Sequence, residues 1–313
     1  MQPRTVAEVL ASLPSPESEE LQTPSYSPTS LNSGRYFMAA GSMKSHTADA
    51  GWQLTTSLHN EGFKLVGHKM DIPLVHTDRI LEAINPEILV MQDKREWEGR
   101  TAGAGGHTLE TFKNVQLLKA RNDIFKMTVL KDSQQRPGYH RASADEIGCH
   151  AWITYYHPDI VKHLAPYVRK QHLIRHYHTV DKKHVPTYTA KRIGCILSGA
   201  WSPKAYPLRT FLIRRYRALP ETYWHPHPGY QSKVCHTPAY LNLLSQFKIA
   251  ICTSSRYGYS LRKIIEATAC GCRVITDLPV DDVLPRIDKN LIRVSTKKDI
   301  KFIRSLVKDS IDS

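Results

Sequence analysis

Apolar residues recur along this chain in short runs, separated by segments of helical period. Arg35–Gly41 reads as a buried strand ending in a small-residue turn, Trp52–Asn60 as a helix closed by Gly62, and Phe63–Gly67 as the next strand. A helix at Thr77–Ile84 and a strand at Glu87–Met91 follow, and this alternation predicts a parallel sheet with helices on its faces. After a glycine-rich loop at Thr101–Gly106, the spacing predicts a helix over Leu109–Ala120 and strands at Phe125–Leu130, His150–Tyr155 and Leu173–His176. A polar, proline-containing stretch at Asp181–Thr189 interrupts the pattern. It then restarts with strands at Arg192–Ala200, Lys248–Thr253, Arg273–Thr276 and Leu291–Val294. The intervening helices are expected at Tyr206–Ala218, with a basic face outward, and at Tyr240–Gln246, Ser260–Cys270 and Asp281–Ile287.

Two consecutive α/β patterns around a linker give the fold class: α/β, with two Rossmann-like domains facing a cleft. A ligand site belongs at the C-terminal ends of such strands. The expected division is a tail over 1–33, an N-terminal domain over 34–185, a C-terminal domain over 190–295 and a closing helix over 296–313. Within the tail, Thr5–Leu13 has amphipathic helical spacing, whereas Pro14–Ser33 is rich in Ser, Pro and Glu and reads as a partly flexible tether.

Composition changes this picture in few places. At 313 residues, two domains are the first expectation, and 41% hydrophobic with 23% charged residues excludes wholesale disorder. No apolar run is long enough to span a bilayer, and no signal-peptide core follows Met1, so the expected location is cytoplasmic, or host cytoplasm for a viral protein. The six cysteines form no CxxC pair and read as reduced, mostly buried thiols. A net charge of +14 is the one unusual global number, and it suits an anionic partner.

The stretch Ser254–Asp277 carries the chemistry. A strand delivers the chain to a Ser/Gly-rich turn, and Ser260 is placed to cap a helix whose first amides form an anion site. Arg262 and Lys263 in its first turn oppose the helix dipole, which makes sense if a phosphate supplies negative charge. Glu266, one turn later, is an acceptor for a ribose diol. The bland alternative is an i, i+4 pair of Glu266 with Arg262, worth about 0.2–0.5 kcal/mol.

Arg262, Glu266, Ala267, Ala269, Gly271 and Val274–Asp277 together resemble the donor-binding motif of group 1 glycosyltransferases with the GT-B fold. The resemblance covers about residues 190–295. It implies that Glu266 binds donor ribose hydroxyls, that Arg262 and Lys263 hold the diphosphate, and that the Ser198, Gly199, Ala200 turn lies beside it with Lys204 or Arg209 as basic partner. The implied donor is a nucleotide-diphosphate sugar. A UDP sugar is favoured, although no residue pattern separates UDP from GDP or ADP. Many retaining members carry a Glu eight residues ahead of the ribose Glu, where this chain has Gly258, so an inverting transfer is expected.

An inverting transfer needs a base beside the acceptor hydroxyl. Asp93, just beyond the Glu87–Met91 strand and flanked by Lys94 and Arg95, is the catalytic candidate, with His46 and Asp49 next and a solvated charged turn as the alternative. Neither His176 and His178 nor His225 and His227 have a metal pair's helical spacing, so no protein-bound metal is expected. Lys182, Lys183, Arg214, Arg215 and Arg217, interleaved with Tyr155, Tyr167, Tyr177 and Trp201, suit a polyanion with stacked bases. T-even phage DNA glucosyltransferases of the same fold modify hydroxymethylated bases, and by that analogy DNA joins the nucleotide sugar as an expected partner. The competing readings are a glycan or lipid-linked-sugar transferase, a phosphorylase-like or epimerase-like enzyme, and a non-catalytic nucleic-acid-binding protein.

Overall fold

The structure, a computed structural model, describes residues 2–13, 36–39, 54, 56–66, 81, 85–91, 115–130, 148–168, 172–187, 193–227, 237–297 and 299–312. The chain divides into two compact units, one of residues 15–176 and one of residues 1–14 with 177–313.

The first unit holds β1 (Tyr36–Ala39), β2 (Lys64–Val66), β3 (Ile88–Met91), β4 (Phe125–Leu130), β5 (Ala151–Thr154) and β6 (His172–Arg175). They form one sheet in the order β2-β1-β3-β4-β5-β6, with every pairing parallel. The strands were legible because a sheet covered on both faces needs near-continuous apolar runs, and β3 and β5 are such runs. One charged residue breaks β4: Lys126, fully buried, donates its ammonium to the Leu118 carbonyl at 2.6 Å. Leu118 lies in helix Val115–Ala120, so the lysine satisfies a carbonyl near that helix's end, and burial pulls its pKa down to about 8.

The second unit holds β7 (Ile193–Gly199), β8 (Thr222–Pro226), β9 (Phe247–Ile251), β10 (Arg273–Thr276) and β11 (Leu291–Arg293), all parallel in the order β11-β10-β9-β7-β8. Its helices include α1 (Val6–Ala11), and then, numbering past α2 (Val115–Ala120) and α3 (Pro158–Leu164) of the first unit, α4 (Pro207–Ile213), α5 (Thr237–Leu244), α6 (Arg262–Ala269) and α7 (Ile300–Asp312). The period-2 rule sorts its core. Cys195, Leu197, Ile249, Ile251 and Ile275 pack on one face with Leu208 and Leu212 of α4 and Ile303 and Val307 of α7. Ile196, Ala250 and Val274 pack on the other with Leu241 and Leu244 of α5 and Ile264 and Ala267 of α6. Tyr177 and Val180 join this second cluster, which is why 177–187 belongs to this unit rather than to the first. In both sheets strand order reverses beside the first strand of the unit, and a ligand crevice belongs at that switch point.

The structure departs from the sequence reading in several places. Pro207 opens α4, which ends at Ile213 and is followed by a separate 3₁₀ turn at Tyr216–Ala218. His225 lies in strand β8, not in a loop, whereas His176 and His178 lie beyond the end of β6. Residues 281–287 form turns instead of a helix. Pro285 offers no amide, and the Arg293 guanidinium takes the carbonyls of Leu278, Pro279 and Asp282 while pairing with Asp288.

The amphipathic N-terminal segment folds as α1 and is part of the second unit. Thr5 and Glu8 form a reciprocal capping box, and Val6 and Val9 are buried. The Val6 amide donates to Asp281 at 2.6 Å, and the Arg4 carbonyl accepts from Val280 at 2.8 Å.

Candidate functional site

At the C-terminal end of the second sheet, the switch point lies between β7 and β9, and the polar residues of the unit converge there. β7 ends at Ser198 and Gly199. Gly199 has φ +124, and a Cβ on it would stand 2.7 Å from the Arg209 guanidinium. A side chain at 199 is thus barred by backbone conformation and by space. Arg209 comes from α4. It is 2% exposed, pointing into the unit, with Nε donating to Thr253 Oγ1 and Nη2 to the Thr253 carbonyl, both at 3.1 Å. The Tyr206 ring lies 3.9 Å from its guanidinium carbon. Burial lowers its pKa, and no carboxylate forms an ion pair with it among the described residues.

Lys263, in the first turn of α6, brings a second cation. Its ammonium lies 4.9 Å from the Tyr240 ring centroid. Burial, reinforced by the positive charge of Arg209, pulls its pKa down to about 8, with Glu266 opposing the shift. Tyr240 shares a 2.6 Å hydrogen bond with Ser198 Oγ and stacks on His225 at 5.8 Å. Burial and then Lys263 keep His225 below its ordinary pKa.

Arg262 and Glu266 form an ion pair at 2.8 Å. The pairing that the sequence offered as the bland alternative is therefore present, but in a buried setting: Glu266 is 6% exposed. Arg262 also donates to Thr237 Oγ1 at 3.3 Å. Among the described residues, Arg209, Arg262 and Lys263 meet the Glu266 carboxylate here, and the buried Asp277 carboxylate also acts on Arg209. The cations still outnumber the carboxylates three to two, and a buried excess charge is costly unless an anion compensates it.

Ser260 does not cap α6. The cap position is Leu261, which has extended backbone and makes no side-chain capping bond, while Ser260 is buried one residue earlier. The first-turn amides of α6 are left without a side-chain cap, which suits an anion. Ala200 continues the β7 turn, and Lys204 lies exposed in the following turn, outside the buried cluster. Asp93, His46 and Asp49 lie outside the described residues. Among the described residues, no group of three or more His, Cys, Asp or Glu is placed to hold a metal ion. The five cysteines described, Cys149, Cys195, Cys252, Cys270 and Cys272, are buried and form no disulfide among the described residues.

The loop between β9 and α6 is fixed from several sides. Ser255 Oγ accepts from the amides of Tyr257 and Tyr259, and the Arg256 amide donates to the Ala205 carbonyl at 2.8 Å. Asp277, after β10, accepts from the Ser254 amide at 2.6 Å, and burial raises its pKa. At Gly258, with φ +73, a Cβ would meet both Val9 methyls at 3.1–3.2 Å. Helix α1 thus occupies the side-chain space of the position at which the resemblance places a second Glu in many retaining enzymes.

Sequence reasoning found Ser198, Gly199, Arg209, Lys263 and Glu266, which the structure brings together. It missed Tyr206, Tyr240, His225 and Thr253. One of these had a signal: Thr253 closes the expected Lys248–Thr253 strand and follows β9 at its C-terminal end.

No family model matches the chain, and no curated protein matches it. Solved structures do. An alpha-glucosyltransferase in complex with UDP and a 13-mer DNA containing a central A:G mismatch aligns at TM-score 0.52 and 10% identity, over 88% of this chain and 93% of that one. The same kind of enzyme with UDP and DNA containing an HMU base aligns at 0.46 and 12%, over 77% and 78%. A UDP-GlcNAc 2-epimerase from Neisseria meningitidis aligns at 0.42 and 12%, over 87% and 91%. Only the first exceeds 0.5, and at 10% identity what it shares with this chain is the fold. The chain has the two-sheet, Rossmann-like architecture of the GT-B glycosyltransferases.

Proposed function

We propose that this protein is a glycosyltransferase that moves a sugar from a nucleotide diphosphate, with UDP favoured, to a hydroxyl on a modified nucleic-acid base. The carrying observation is the buried cation cluster at the β7/β9 switch point. Neither Arg209 nor Lys263 forms an ion pair among the described residues, and a diphosphate would supply the partner charge. These cations and the uncapped α6 amides would stabilise the charge that develops on the departing diphosphate. Glu266 would accept hydrogen bonds from the ribose diol beside its ion pair with Arg262. Asp93 is assigned as the base of an inverting transfer.

The acceptor reading rests on charge and analogy. A net +14 suits a polyanion, and the alpha-glucosyltransferase that shares the fold is seen with both UDP and DNA.

The test is a transfer assay. Wild type, Arg209→Met and Glu266→Ala are incubated with a panel of UDP sugars and an oligonucleotide containing hydroxymethylated bases, and product is read by intact mass. One UDP sugar should add one sugar per modified base, and both variants should lose the product. UDP release without an adduct, or an altered donor sugar, would instead indicate a hydrolase or an epimerase.

A further inference from the structure

The segments flanking α4 carry chemistry that the cation cluster does not use. Residues 200–220 include five basic residues and no Asp or Glu. Arg209 turns inward, but Lys204, Arg214, Arg215 and Arg217 are exposed. Each of these three arginines lies against an aromatic ring: Arg214 is 5.5 Å from Trp201, Arg215 is 4.3 Å from Phe211 and Arg217 is 5.9 Å from Tyr216. Trp201 itself is 54% exposed.

Pro203, Pro207, Thr210, Phe211, Arg214 and Arg215 line a cavity of about 330 Å³. Its floor is apolar and its rim cationic. Thr210 adds a hydroxyl that is 4% exposed and has no hydrogen-bond partner among the described residues. No ion pair engages Arg214 or Arg215 among those residues.

Rings alternating with guanidiniums offer stacking planes beside phosphate donors, the combination that unstacked nucleotides require. An anionic lipid surface needs neither a concave seat nor a ring beside each charge. We propose that this face binds a single-stranded nucleic-acid segment, stacking bases on Trp201 and in the Pro203–Phe211 cavity and holding phosphates with Arg214 and Arg215. It rests on the nucleic-acid part of the acceptor reading, and it gives the strand flanking the modified base a place on the donor-binding unit.

The experiment is fluorescence anisotropy with a labelled single-stranded oligonucleotide over a salt series, without donor. Arg214→Gln/Arg215→Gln should weaken binding and flatten the slope of log K against log salt by about 1.4, two contacts at ~0.7 each. Trp201→Ala should weaken binding by about 5- to 150-fold with the slope unchanged. Thermal stabilisation by UDP should persist in both variants, which shows them folded with an intact cation cluster.

Three results would overturn the proposal. The first is a wild type that binds no oligonucleotide although UDP stabilises it. The second is variants that bind as wild type does. The third is a double variant that loses phosphatidylserine/phosphatidylcholine vesicles while keeping the oligonucleotide. If the slopes behave as expected while UDP fails to stabilise any form, the donor assignment fails and this surface stands.

Discussion

Gly199→Ala tests how Arg209 is held. The new methyl would sit 2.7 Å from the guanidinium nitrogen, so the group must retreat by about 0.7 Å to reach ordinary contact at 3.4 Å. Both hydrogen bonds to Thr253, from Nε and Nη2, are 3.1 Å long, and a retreat of that size directed away from Thr253 takes at least one beyond bonding distance. Losing one charge-assisted bond costs about 1.5–3 kcal/mol. Placing an L-residue at φ +124 adds about 1–3 kcal/mol. Together these give about 3–6 kcal/mol, read by urea unfolding of wild type and variant. Since the two parts have different origins, a double-mutant cycle separates them. In an Arg209→Met background the clash disappears, and Gly199→Ala should cost only the backbone part, about 1–3 kcal/mol. An equal cost in both backgrounds would refute the claim that Gly199 is there to admit the guanidinium.

Lys263, with a pKa pulled down to about 8, should lose its charge as pH rises through that value. UDP affinity by calorimetry should therefore fall several-fold between about pH 7 and pH 9.5 in wild type and stay level in Lys263→Arg. The sign for stability without ligand is the reverse. The folded pKa lies below the ordinary 10.5, so the unfolded chain binds more protons between about 8 and 10.5, and stability should rise with pH there. Buried Lys126 adds a contribution of the same sign. Glu266→Ala should abolish discrimination between UDP and 2′-deoxy-UDP in a competition assay; a preference that persists would remove Glu266 from the ribose. Deleting residues 2–13 uncovers the seat of Val6 and Val9, and urea unfolding of the second unit should show a loss of about 3–6 kcal/mol at ~1.5–3 kcal/mol per side chain. Gly258→Glu should likewise expel α1 and expose it to protease, because the new Cβ meets Val9 at a backbone position with φ +73.

Local pattern carried most of the second unit. β7, β9 and β10 were legible because buried parallel strands are apolar runs bounded by turns, and α6 because its motif sits between two of them. β8 was missed because it lies at the sheet edge and is only half-buried: Thr222–Pro226 mixes His, Tyr and Pro, and no run forms. Arg209 was legible only as one of two basic candidates beside the β7 turn. Arginine is counted as surface by default, and only the three-dimensional meeting of Gly199, Tyr206 and Thr253 gives it a buried seat. The docking of α1 depends on contacts with Gly258, Val280 and Asp281, more than 240 residues away, so no local signal could announce it. Glu266 was recognised through its motif, and the i, i+4 pairing with Arg262 that the spacing also allowed is present in a buried setting that the sequence did not announce.

The central claim is that Arg209 and Lys263 form a diphosphate seat, and calorimetry with UDP and uridine tests it most directly. UDP should bind wild type well over tenfold more tightly than uridine, and Arg209→Met should bring the two affinities close together. If UDP and uridine bind equally, or if neither binds at millimolar concentration, the cation cluster is not a diphosphate site.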